Sequence, residues 1–468
     1  MDATQSHGEP DLQSLEAVLA RAQADAEARV AGFRWDPYGE SSASNRRRRR
    51  DRSRPLQVLV SNNESTLFRD LHDPRVRVFG PTEPDTPPPD VVVLTRADRL
   101  ELDRSSMDVP ASAWARVASG EARFVYDASG EGNPHMVGRT AALHGFLRDR
   151  GVALANAAYV TQDRGYSGPY AEHCAELGLG AQRMEIWIYD RFIQRTFAAL
   201  HAHGEEIFQE RLAFYASAPR QRARRFICLN QTVRPIRAML LLKLMREGLW
   251  DKGFISVGPV LLIGHGREVT HDEYLQRMRK LRGFSDIVDD VAPLLDQLEA
   301  LAPTYVDGDA PLADARTLLI PAAFPEYRQS WFTVVTETHF SDRFHRITEK
   351  PFKPVLNFHP LIFLSSLGSL RLMRAYGFET YPGFFDEVYD EVEDPRRRFD
   401  MVFEQIARLS TLDEAELARR DAAVAEAVVF NAYWGLTQLP KLFRTHIDPV
   451  LVDRLVEFVD KPPLAPAT

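Results

Sequence analysis

The chain has 468 residues, 44% hydrophobic and 26% charged, with a formal net charge of -8. That length suits two domains of ordinary size, and the composition is that of a soluble globular protein. The acidic balance argues against a nucleic-acid binder, which is usually basic.

Two cysteines, Cys174 and Cys228, leave no disulfide framework. No apolar run approaches the roughly 18 residues of a membrane helix, and the polar start MDATQSHGEPDL is unlike a signal peptide. A cytoplasmic protein is expected.

Residues 1–54 read as a polar leader, expected to be partly disordered. Within it, 12–31 has helical composition, and seven arginines fall between Arg46 and Arg54. That block reads as a solvated linker, with docking on an anionic membrane surface or on nucleic acid as the alternative. Short apolar strands then follow at 56–60, 90–94, 123–127, 157–161 and 184–188. They are continuous rather than alternating, which suits burial on both faces of a parallel sheet wrapped by helices.

The rhythm restarts at 225–230, with a helix from Pro235 to Gly248 that has Pro near its start and Gly at its end. Further strands are expected at 253–258, 317–320, 331–336 and 361–364. The last stretch is helical by period, with Leu412-Asp413-Glu414 opening one long helix. The expected organisation is a leader (1–54), an acceptor-side α/β domain (55–205), a nucleotide-sugar-binding α/β domain (206–400), and C-terminal helices with a tail (401–468). Helices around Ala415 to Trp434 are expected to cross back onto the first domain.

The stretch from Glu337 to Gly368 carries the chemistry. Thr348-Glu349-Lys350 places a carboxylate beside a lysine at the mouth of an α/β unit. Such a pair can grip a sugar nucleotide, the Glu on ribose hydroxyls and the Lys, with a helix N-terminus, on the diphosphate. Transfer from such a donor builds negative charge on the departing diphosphate, which needs cations to meet it. Lys350, Arg237 and Arg234 are the candidates. Their plain alternatives are a solvated helix-start lysine and surface-helix arginines. Glu337 is either a sugar ligand or a strand-end carboxylate.

These words resemble the α1,3-fucosyltransferases, glycosyltransferases of the GT-B fold. The resemblance rests on Glu337, Thr348-Glu349-Lys350, Pro360 and Gly368, and on Asn230 and Arg237 in LNQTVRPIR, spanning residues 226–381. Thr338 stands where the family has an Asn, and one residue is inserted between Asn230 and Arg237. The resemblance implies two Rossmann-like domains facing across a cleft, with C-terminal helices crossing back. It also implies an inverting, metal-independent hexosyl- or deoxyhexosyltransferase using a nucleoside diphosphate sugar, GDP-linked by this likeness. No cofactor is expected beyond that donor. The acceptor would be a saccharide, a lipid-linked glycan or a natural product. The competing readings are a nucleotide-sugar or glycan binder without turnover, and an epimerase or phosphatase on the same architecture.

An inverting transferase needs a base near the acceptor hydroxyl. The strand ending at Asp127 runs into Ala-Ser-Gly-Glu131-Gly-Asn-Pro-His135, a loop at the strand end where α/β sheets bind ligands. Glu131 is the first candidate, Asp127 the second and His135 the third, against the plain reading of a turn cluster. Asn62, Asn63 and Glu64 would line the same edge. Asp307-Gly308-Asp309 spells a metal-dependent transferase word but reads as a turn, and Gly264-His265-Gly266 is too short for a phosphate loop. The thirteen histidines, His339, His345 and His359 among them, show no metal-ligand spacing.

Overall fold

The computed structural model describes residues 12–35, 54–61, 67–68, 71, 73–83, 86–95, 102, 106–129, 136–198, 200–217, 221–263, 267–306, 324–341 and 344–463. The chain divides into two compact units. One comprises Arg34–Arg195 and Lys441–Thr468, the other Met1–Phe33 and Thr196–Pro440. Each holds a parallel sheet, as the repeated strand-helix rhythm predicts.

The first unit contains β1 (Leu56–Val60), β2 (Val76–Phe79), β3 (Val91–Thr95), β4 (Arg123–Asp127), β5 (Ala157–Thr161) and β6 (Glu185–Ile188). They lie in the order β2-β1-β3-β4-β5-β6, every pair parallel. β1, β4 and β5 are buried at every position, which is why they lack the regular apolar-polar alternation of a half-exposed strand. β2 carries no such signal because it is a half-exposed edge strand, with Arg75 before it and Arg77 within it. Leu59, Phe124, Leu147, Tyr159 and Tyr170 belong to the core of this unit. The final helix, Asp448–Asp460, belongs to it too. Phe458 meets Trp187 edge-on at 5.3 Å, Arg123 lies over the same Phe458 ring at 5.4 Å, and Tyr189 donates to Asp448 Oδ1 at 2.9 Å. Burying each such aromatic contributes roughly 1.5–3 kcal/mol.

The second unit contains β7 (Phe226–Asn230), β8 (Gly253–Val257), a small hairpin of β9 (Leu262–Ile263) and β10 (Arg267–Glu268), β11 (Phe332–Thr336) and β12 (Leu361–Leu364). Its main sheet has the order β12-β11-β7-β8, again all parallel. The strand expected at 317–320 lies outside the described residues. The helix after β7, Pro235–Arg246, starts with Pro at its first turn and is followed by Gly248 at φ 65, the residues that favour those positions.

Two helical segments differ from expectation. The helix Leu12–Gly32, in the stretch that reads as a leader, packs against the helix Glu414–Tyr433 in the second unit. Ala22 and Ala26 are buried there, and Arg29 lies 4.4 Å over the Phe430 ring while donating to Gly377 O at 2.6 Å. The long helix capped by Asp413 therefore stays with the second unit, because Leu417, Val424 and Val428 bury within it. The return to the first unit is made from Lys441 onward.

Candidate functional site

In the second sheet the chain passes from β7 to β8 on one side, then reappears as β11 on the other side of β7. The direction of strand succession reverses between β7 and β11, and the carboxyl ends at such a switch point are where open α/β sheets hold ligands. Asn230 ends β7 and Thr336 ends β11, and the donor residues expected from the sequence gather around them.

Asn230 is fully buried. It accepts from Thr336 Oγ1 at 2.7 Å and donates to Cys228 Sγ at 3.2 Å, which ties the two strand ends together. Gly258 N donates to Asn230 O at 2.7 Å. A Cβ on Gly258 would sit 1.9 Å from Gln231 O, so only glycine permits that approach.

Glu337 follows β11 and is 2% exposed. Its Oε1 accepts from Thr348 N at 2.8 Å, its Oε2 from Thr348 Oγ1 at 2.8 Å and from Thr338 N at 3.1 Å. Of the two roles open to Glu337, sugar ligand or strand-end carboxylate, this geometry describes the second. The carboxylate draws eleven positions of chain into a closed loop, delivering Thr348-Glu349-Lys350 to the strand end.

Lys350 Nζ is held by Thr348 Oγ1 at 3.1 Å, Glu349 Oε1 at 3.2 Å and Thr338 Oγ1 at 3.3 Å. The lysine side chain remains 25% exposed and that of Glu349 12%. Burial pushes the Glu349 carboxyl up, but the Lys350 charge, its own main-chain N–H and the Lys350 hydrogen bond leave it below the usual carboxylate value. The Glu349 carboxylate is therefore ionised at neutral pH, and the Lys350 ammonium lies among Thr348, Thr338 and Glu349 oxygens with part of its surface exposed.

The two arginines occupy different positions. Arg237 is 3% exposed. It donates to Thr232 O at 2.7 Å and Thr336 O at 2.9 Å, and its Nε has no hydrogen-bond partner. Burial pushes its pKa down to about 10, against the opposing pull of Glu337. It is thus neither an outward diphosphate ligand nor a surface arginine: it clamps the loop after β7 onto the end of β11. Arg234, by contrast, is exposed at the N-cap of the Pro235–Arg246 helix, beside exposed Gln231 and Thr232. A helix N-terminus and a cation there favour an anion.

Sequence reasoning misses Thr338 and Thr232 as parts of the site, although both are built into the edge. The signals available for Thr338 are that it directly follows the strand-end Glu337 and stands where the resembling family has an Asn. The flanking histidines brace loops: His345 Nδ1 contacts Leu367 O at 3.2 Å and His339 Nδ1 contacts Arg346 at 3.3 Å. His359 is sandwiched between Thr333 Oγ1 (2.7 Å) and Ser330 O (2.8 Å), where burial lowers its pKa to about 3.

The candidates for the base fare differently. Glu131 and His135 lie outside the described residues, as do Asn62, Asn63, Glu64, Asp307, Asp309 and the stretch 264–266. Asp127 is 1% exposed. Its Oδ1 accepts from Ser129 N at 3.0 Å and its Oδ2 from Arg191 at 3.0 Å. This carboxylate anchors the start of the β4 loop and has no exposed oxygen to offer an acceptor. Of the arginine block, Arg54 alone is described, and it pairs with Asp90 at 2.9 Å.

Among the described residues, no group of three His, Cys, Asp or Glu side chains could hold a metal ion, and no helix is long and apolar enough to cross a membrane. The two parallel α/β units, with the chain returning to the first, are consistent with the GT-B class. Comparison of the chain with protein-family models, curated proteins and solved structures gave no match.

Proposed function

We propose that this protein is a GT-B glycosyltransferase that binds a nucleoside diphosphate sugar at the β7–β11 edge of its second unit. It transfers the sugar with inversion, and without a metal, to a hydroxyl of a saccharide, lipid-linked glycan or natural product. The observation that carries this reading is the convergence of Lys350, its threonine partners and the Arg234-capped helix N-terminus at a topological switch point.

In this reaction the acceptor oxygen bonds to the sugar's anomeric carbon as the bond to the diphosphate oxygen breaks, and the acceptor proton passes to a base. Lys350 and Arg234 meet the charge on the leaving diphosphate. Glu349, ionised beside Lys350, accepts from the ribose hydroxyls. Glu337, Thr348, Asn230 and Arg237 hold the loops in register. The base is assigned to Glu131, four positions beyond Asp127 in the sequence.

Binding without turnover is the second reading, favoured by the engagement of Asp127 with Arg191. The first test is a thermal-stabilisation screen of nucleoside diphosphate sugars in EDTA. A ligand at 100 times its dissociation constant adds about 2.7 kcal/mol. Stabilisation by a nucleoside diphosphate sugar but not by the free sugar is expected. A chain that no nucleotide stabilises contradicts the reading. Turnover of the stabilising donor then separates transferase from binder.

A further inference from the structure

The second unit contains a cavity of about 560 Å³ whose walls are drawn from residues 374–391 together with Arg408 and Arg420. That volume lies within the range of small-molecule sites, and none of its lining residues belongs to the β7–β11 edge. From the balance of its walls we infer that this cavity is a second binding site, for a neutral, hydroxyl-rich ligand of the sugar class.

The walls are mixed, with Pro382, Phe385 and Val388 beside seven charged side chains. Three guanidinium groups, Arg374, Arg408 and Arg420, share the lining with four carboxylates. Most of these charges are already compensated. Arg374 contacts Glu387 Oε2 at 2.5 Å, and Glu387 Oε1 accepts from Tyr381 N at 2.6 Å. Asp390 lies at the N-terminus of the helix Ser369–Ala375, accepting from Leu370 N at 3.1 Å and Arg371 N at 3.3 Å. Arg420 contacts Glu416 at 2.9 Å, outside the cavity. Gln405 grips the loop from both sides, accepting from Asp386 N at 2.8 Å and donating to Asp386 O at 2.7 Å.

Such a wall presents fixed donors and acceptors without a dominant field. A polyanion would meet the carboxylates, and a polycation the arginines. A sugar hydroxyl both donates and accepts, so it can bond a carboxylate and a guanidinium in turn. Two lining side chains remain available: among the described residues, no hydrogen bond or ion pair engages the side chains of Arg408 or Glu391, and both are exposed. Because the loop is held independently of any ligand, binding has chiefly the Arg408 and Glu391 side chains to order.

The inference does not depend on the nucleotide reading, and its test separates the two. The full chain is applied to a glycan array carrying neutral, sialylated and sulfated structures, alongside Arg408→Ala, Glu391→Ala and Lys350→Ala, each first shown by circular dichroism to be folded. Binding to neutral glycans is expected, weakened at least tenfold by Arg408→Ala and by Glu391→Ala and unchanged by Lys350→Ala. The inference is overturned if no glycan binds, if only sulfated or sialylated glycans bind, or if binding survives both cavity substitutions. Loss in Lys350→Ala alone would place the glycan at the β7–β11 edge and equally overturn it.

Discussion

The two sheets share one plan and differ at their carboxyl edges. Both begin with strands in the order second, first, third, fourth, so each reverses direction between its first and third strands. At the second sheet that reversal carries an exposed cation at a helix N-terminus and a partly exposed lysine among hydroxyls. At the first sheet the described acidic group, Asp127, is one strand further along and is closed off by Arg191 and Ser129. A strand-end carboxylate is therefore not a site by position alone. What distinguishes the two is whether the charged side chain is wholly enclosed by its partners or keeps part of its surface exposed.

The largest expected effect tests the closed edge. Asp127→Ala leaves the Arg191 guanidinium buried without its carboxylate, and breaking such a pair costs about 3–5 kcal/mol. Urea unfolding should show that loss, with part of it recovered when Arg191→Met is added. A loss under about 1 kcal/mol would mean that Asp127 is not a structural anchor and would restore it as a candidate base.

Glu337→Gln comes next. The amide keeps one acceptor, but its NH₂ group faces the Thr338 or Thr348 N–H, leaving a buried donor unmatched at roughly 1–3 kcal/mol. Because Glu337 closes the loop that delivers Lys350, nucleotide affinity should fall together with stability. Unchanged affinity in a destabilised variant would show that the loop does not position the lysine.

Much of this edge is legible in the sequence because its residues are local words: Asn230 ending an apolar run, Pro235 opening a helix, and Thr348-Glu349-Lys350 preceding another. The role of Arg237 is not legible there, and that of Glu337 is legible only as one of two alternatives. Each depends on a partner from elsewhere in the edge, Thr348 for Glu337 and Thr336 O for Arg237, and no spacing rule encodes either contact. The same holds for the fold. Buried strands announce themselves, whereas β2 does not, since an edge strand need not be apolar. The placement of the Leu12–Gly32 helix depends on a partner helix about 400 residues away, which periodicity cannot report.

A smaller effect compares the two units through their buried histidines. His359 in the second unit is held at a pKa of about 3, and His144 in the first at about 4, both by burial. A lowered folded pKa means the unfolded chain takes up the proton first as pH falls. Stability is thus complete above the unfolded value near 6.5 and declines toward those folded values, by at most roughly 1.4 kcal/mol per pH unit for each group. His359→Gln and His144→Phe should each flatten the slope of unfolding free energy between about pH 6.5 and 4.5. A slope unchanged in both would contradict the burial of neutral imidazoles.

The smallest expected effect is at the rim. Arg234→Ala removes an exposed charge at the helix N-cap and should weaken diphosphate binding by about 0.3–1 kcal/mol, an effect that shrinks as salt is added. A loss independent of salt would indicate that Arg234 makes a buried contact instead.

Everything proposed for the second sheet rests on Lys350 as a diphosphate ligand at an open edge. Calorimetric titration of the intact protein and of Lys350→Ala, with a nucleoside diphosphate and with the matching nucleoside, tests that assignment without intermediates. The substitution is expected to weaken the diphosphate by roughly 1.5–3 kcal/mol, the range for a hydrogen bond to a charged group, and to leave the nucleoside nearly unchanged. Equal losses for the two ligands, or no loss for either, would contradict it.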